Sequence, residues 1–306
     1  MSTSSSNRTQ RAPRNVTSAR RRARMAQVWR EFRRSRSGVA GLVILLVVVA
    51  LALLAPVIAP DRLLDVTQLL DNPINHPPTW QFPLGTDPSG RSVLVVLLWG
   101  ARVSLLVGVV ATVISMVIGT TVGMAAGHFG GWTGAALMRV IDFFLVLPSL
   151  VLAIVLASVL SRSVWTVILA IGITSWAGTA RVVRSQTLTV DARPYIERAW
   201  ALGAGHGHVI RKHVLPAVMP LVMANTTLTV GSAIIAEATL SFLGLGDTSK
   251  QSWGTMLKLA LDSGAATGGF WWFILPPGVA IVIVVLAFTL VGRAFEAVIN
   301  PSLRER

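Results

Sequence analysis

Six runs of predominantly apolar residues constrain this chain more than any other feature. A helix needs about 20 such residues to cross a bilayer. The runs cover residues 38–58, 103–127, 137–160, 164–183, 217–238 and 271–292. In lipid every backbone N–H and C=O must be satisfied inside the protein, so runs of this kind fold as helices packed into a bundle. The expected fold class is an all-α membrane protein with six transmembrane helices. Composition agrees where it discriminates. Only 13% of the 306 residues are charged, against about 25% in a soluble domain. Cysteine is absent, which removes disulfides and thiolate metal ligands from consideration.

A net charge of +14 would also suit a nucleic-acid binder. The placement of the charges argues otherwise. With the N-terminus inside, the inner segments hold 20 of the 27 Lys and Arg residues, eleven of them before the first run. The outer segments hold six: Arg62, Arg91, Arg102, Arg162, Lys250 and Lys258. Arg139 sits at an inner edge. This asymmetry is the positive-inside pattern and places both termini in the cytoplasm. The arginines divide by membrane side instead of forming a binding face, so nucleic acid is not an expected partner and the lipid bilayer is.

The chain divides into three parts. Residues 1–36 read as a basic cytoplasmic tail. Within it, Met25, Val28, Trp29 and Phe32 fall at i, i+3, i+4 and i+7, one face of a helix with arginines opposite. Such a helix either serves only as the positive flank that orients the first span or lies on an anionic leaflet. Residues 37–102 hold the first span and a long outer segment. Residues 103–306 form the core transmembrane domain, with a cytoplasmic loop at about 190–216.

That loop, 195–216, reads YIERAWALGAGHGHVIRKHVLP. Its anchors are Glu197, Ala199, Gly203 and Leu215-Pro216. They resemble the cytoplasmic coupling loop of the membrane subunits of bacterial ABC importers. That family's pattern is Glu-Ala-Ala, three residues, Gly, nine residues, Ile, any residue, Leu-Pro. Here Arg198 and His213 depart from it. Three further stretches resemble the DppC/OppC branch of peptide and nickel importer permeases. They are Gly85-Thr86-Asp87 with Gly90-Arg91 and Gly100-Ala101-Arg102, Glu237 to Gly246 with Trp253-Gly254, and the tail Asn300-Pro301-Ser302-Leu303-Arg304. The branch has Asp after the first Arg, where Ser92 stands here.

The resemblance implies a type I ABC importer permease fold in the bacterial cytoplasmic membrane. It implies a heterodimer with a second, DppB/OppB-like permease, two ATP-binding subunits or one fused ATPase, and an extracytoplasmic substrate-binding protein. The expected function is a path for short peptides, coupled to ATP hydrolysis through the loop. The same machinery in relatives imports nickel chelates, glutathione or haem. An ion-gradient-driven secondary transporter is the alternative of another class, but no repeat and no central carboxylate support it. No catalytic residue and no bound cofactor are expected on this chain. ATP and Mg belong to the ATPase partners.

Candidate coupling residues are Glu197, Ala199, Trp200, Ala201, Leu202, Gly203, Leu215 and Pro216. Asp191 is placed to cap the loop helix and Pro194 to open its first turn. His206, His208 and His213 have no carboxylate or cysteine companion at metal-ligand spacing, so no metal is expected. Ionisable groups within spans are functional candidates. Arg139 and Asp142, three apart, are expected to pair with each other or to sit at the headgroups. Asn225, Thr229 and Glu237 are candidates for a translocation path or gate. Asn225 and Thr229 serve equally in interhelical hydrogen bonds, and for Glu237 the preferred reading is a brace for the turn that follows it.

Overall fold

The computed structural model describes residues 29–65 and 72–299. Met25, Val28 and the 300–304 motif lie outside the described residues. The chain runs through α1 (Arg36–Ile58), a 3-10 turn (Asp61–Leu64), α2 (Val93–His128), α3 (Gly131–Val146), α4 (Ser149–Val159), α5 (Val164–Thr174) and α6 (Ala177–Asp191). Then come α7 (Pro194–Ala201), α8 (His206–Val209), a π-helical turn (Ile210–Val214), α9 (Leu215–Phe242), α10 (Trp253–Asp262) and α11 (Trp271–Ile299).

Five continuous helical stretches are long and apolar enough to span a membrane, and α3 with α4 makes a sixth that bends by 85°. The bend has a local cause. Pro148 pushes the residue before it out of the α region, and Leu147 is extended at ψ 129. The run 137–160 is therefore a broken span and not a straight one. α2 starts at Val93, ten residues before the apolar run 103–127. At 36 residues it is about 54 Å long and outreaches the hydrocarbon core.

α2 and α6 lie backbone to backbone. A Cβ on Gly119 would stand 2.7 Å from the Trp176 carbonyl oxygen, and one on Gly123 2.5 Å from that of Ala180. A Cβ on Gly127 would stand 2.8 Å from the Thr187 side-chain Cβ. These small residues thus let α2 and α6 pack in close contact.

α1 packs on α11, with Gly41 against the Ala287 carbonyl. Phe32, 1% exposed, packs against Phe295 of α11 with tilted rings, their centroids 4.9 Å apart. This aromatic face, expected to meet lipid, is seated on protein at Phe32 because α11 extends far enough to receive it.

On the opposite end, the Gly85–Ser92 stretch folds into a turn around the buried Asp87. Its carboxylate accepts from the backbone N–H of Ser89 (2.8 Å) and Arg91 (2.9 Å) and from Arg91 Nε (2.7 Å). A second knot ties α9, α2 and α10 together. Glu237, 2% exposed, accepts from Ser104 Oγ and from Ser241 Oγ, each at 2.8 Å. Ser104 Oγ in turn accepts from the Trp253 backbone N–H at 3.2 Å. Gly254 and Gly246 have no room for a side chain against Ala238 and Ser241.

Candidate functional site

The 194–216 segment is built to be stiff. Pro194 opens α7 at its first position, where its missing N–H costs nothing. Arg193, with no side-chain capping bond, is the N-cap. Asp191 is the last residue of α6, so it does not cap α7 as the sequence suggested. Glu197 lies in the exposed first turn of α7, where the helix dipole favours a negative charge. The C-terminus is closed by Gly203 at φ +82, a conformation that glycine adopts without strain. The Gly203 N–H donates to Trp200 O (2.9 Å) and the Ala204 N–H to Ala199 O (3.0 Å). This is the hydrogen-bond pattern of a left-handed C-cap.

The inner face of the segment is anchored in apolar packing. Ile196, Val209 and Val214 are each at most 1% exposed and cluster with Met116, Val183 and Val218. The π turn leads into α9, where Pro216 sits in the first turn. A polar anchor adds to it. His128, at the end of α2, contacts Asp191 Oδ2 through Nδ1 at 2.8 Å and His206 Nδ1 through Nε2 at 3.1 Å. Trp200 stacks on His128 at 5.9 Å and meets His206 edge-on at 4.9 Å. One side chain from α2, one from α6 and two from the segment are thereby locked together.

The outer face is different. Ala201 and Gly203 are exposed, Leu202 is 89% exposed, and Tyr195 and Trp200 are partly bare. Leu215 is half-buried and Pro216 exposed. His213, in place of the family's Ile, packs near Tyr195 and His208.

A cavity of about 710 Å³ opens among α2, α3, α4, α5, α6 and α9. Asn225 and Thr229 line it, with Thr112, Ser115, Thr179 and Ser232 among the other polar groups. No Asp, Glu, Lys, Arg or His is among its lining residues. Asn225 Nδ2 donates to Thr179 Oγ1 at 3.0 Å. Ser115 Oγ is buried with no hydrogen-bond partner among the described residues. Glu237 lies away from this cavity, in the knot with Ser104 and Ser241.

Two groupings escaped the sequence reading. Arg139 and Asp142 do not pair. Asp142 Oδ1 instead takes Arg181 of α6, at 2.7 Å, because the α3–α6 packing brings that guanidinium nearer. His128 carried no local signal, since its partners are 63 and 78 residues away.

The model of the binding-protein-dependent transport system inner membrane component family matches residues 119–305. The chain belongs to that family. A second family model, the N-terminal TM domain of oligopeptide transport permease C, matches residues 24–78. Among curated family members, the dipeptide permease DppC of Bacillus subtilis is 36% identical over 90% of this chain and 85% of its own length. The oligopeptide permease OppC of the same organism is 34% identical, over 90% and 88%. The di/tripeptide permease DppC of Pseudomonas aeruginosa is 33% identical, over 92% and 93%. Among solved structures, an inward-facing MetNI methionine ABC transporter chain superposes with TM-score 0.54 at 21% identity, over 66% of this chain and 96% of that one. That likeness shows the permease fold. The protein is thus a multi-pass inner-membrane subunit of the ABC importer type, related to DppC and OppC.

Proposed function

We propose that this chain forms one wall of a path for short peptides, completed by a second permease. Its 194–216 segment takes the stroke of a cytoplasmic ATPase. The observation that carries this reading is the continuity from segment to cavity. The exposed outer face of α7 sits on a segment whose inner face is tied to the ends of α2 and α6. α2 and α6 are locked at Gly119 and Gly123, and both line the cavity. A displacement of the segment therefore moves the cavity wall as a body, which is the contiguous connection that coupling requires.

The lining supports the cargo assignment. Hydroxyls and one amide can meet peptide groups without selecting a side-chain charge, and the curated relatives carry dipeptides, di/tripeptides and oligopeptides in their names. Selection then falls to an extracytoplasmic binding protein. ATP and Mg are bound by the ATPase partners. The test is the full complex in liposomes with binding protein present. Dipeptides and longer peptides are expected to stimulate ATP hydrolysis. Stimulation by nickel chelates, glutathione or haem alone would overturn the peptide assignment.

A further inference from the structure

A second cavity, of about 350 Å³, lies at the end of the bundle that carries the 194–216 segment. It is an open depression lined by the C-terminus of α2, the first turns of α3 and the second half of α6. Arg139 and Arg184 line it together with Gly130, Gly131 and Gly134. Its one acidic lining residue, Asp142, is engaged by Arg181 at 2.7 Å. Arg184 Nε is buried and has no hydrogen-bond partner among the described residues. A shielded guanidinium N–H without an acceptor is costly, and an anion in the cavity would supply one. The cavity also lies at the N-terminus of the 16-residue α3, whose dipole adds positive potential.

The surroundings identify the anion's carrier. Trp132 is 86% exposed and Phe129 also projects, an aromatic pair of the kind found at headgroup depth. Exposed apolar side chains lie on the same helices: Val140 and Phe143 on α3 and Leu188 on α6. A charged pocket at a tryptophan level, continuous with a bare apolar flank, suits a headgroup with its acyl chains.

We infer that this cavity binds the phosphate of an anionic phospholipid, held by Arg184 and Arg139, with the acyl chains on the α3–α6 flank. This cavity shares no lining residue with the proposed peptide cavity. Occupied, it would brace the α3–α6 pair beside the segment that moves.

The experiment is native mass spectrometry of the full permease complex, released from nanodiscs of phosphatidylcholine with and without phosphatidylglycerol. Retained phosphatidylglycerol is expected on the parent, reduced about five-fold by R184Q and by a similar factor by R139Q. R293Q, an exposed arginine on α11, is expected to leave retention unchanged and so controls for the general basic field. Arg139 is itself exposed, so R139Q tests the site even if R184Q impairs assembly. A parallel arm titrates inorganic phosphate against the retained lipid. Equal retention of phosphatidylcholine and phosphatidylglycerol, or equal loss in R293Q and R139Q, would overturn the site. Tight binding of inorganic phosphate with no lipid retained would overturn the lipid assignment.

Discussion

Replacing Glu237 separates a brace from a path residue. In E237A the hydroxyls of Ser104 and Ser241 lose their acceptor at 2.8 Å, and both serines are buried. A buried polar group left unsatisfied costs about 1–3 kcal/mol. Two such groups and the cavity left by the side chain sum to about 4 kcal/mol. At about 2–4 °C per kcal/mol, the apparent Tm should fall by roughly 10 °C. E237Q behaves differently. An amide replaces the two carboxylate oxygens with a carbonyl acceptor and an NH2 donor group, and a serine hydroxyl can fill either role, so both contacts survive and the cost stays at about 1 kcal/mol. The assay is thermal unfolding of the detergent-solubilised complex at a fixed scan rate, since such unfolding is irreversible, with peptide-stimulated ATP hydrolysis measured alongside. E237A melting like the parent would refute the knot. E237Q that melts like the parent yet abolishes peptide stimulation would return Glu237 to the transport path.

G254A places a Cβ 2.5 Å from the Ala238 carbonyl oxygen and 2.7 Å from Ser241 Cβ. It should cost about 1–3 kcal/mol by overpacking and raise proteolysis in the 243–270 region. H128A removes contacts to Asp191 and His206. Hydrogen exchange over 194–214 should quicken about ten-fold, for a loss of about 1.4 kcal/mol of local stability, and unchanged protection would contradict the anchor. At Asp247, partial burial raises the carboxyl pKa but is outweighed by hydrogen bonds from Ser249 and the Val164 backbone and by nearby Lys250, so it lies below the ordinary carboxylate range. A lowered folded pKa gives stability that is present above the unfolded value and lost as pH falls through the folded one. D247N should therefore flatten the acid limb of the melting profile below about pH 4, and an unaltered limb would refute this.

Much of this was legible in the sequence because membrane helices announce themselves. The six apolar runs correspond to five continuous helical stretches and one bent pair, whose break at Pro148 was not expected within the run 137–160. The turn at Gly203 and the proline at position 194 follow from local chemistry and were readable one residue at a time. Ile196 is half-legible: it is the apolar residue of the exposed α7 that faces inward, but helix period alone does not say what it meets. The His128–Asp191–His206 chain, the Asp142–Arg181 pair and the Arg184 cavity were not readable. Each joins residues brought together only by helix packing, at separations of 39 to 78 positions in the paired cases. The asymmetry of Arg139, three residues from Asp142 yet not its partner, shows how tertiary geometry overrides a favourable helical spacing.

The central claim is that the bare face of α7 is gripped by a nucleotide-hydrolysing subunit. The chain has no cysteine of its own, so L202C places a single thiol at a position 89% exposed. With single cysteines introduced in turn along the permease-facing surface of the ATPase in an assembled complex, a disulfide cross-link is expected in the resting state, the ATP-bound state, or both. An intact complex that hydrolyses ATP on peptide addition yet gives no cross-link from Leu202→Cys or Ala201→Cys in either state would contradict it.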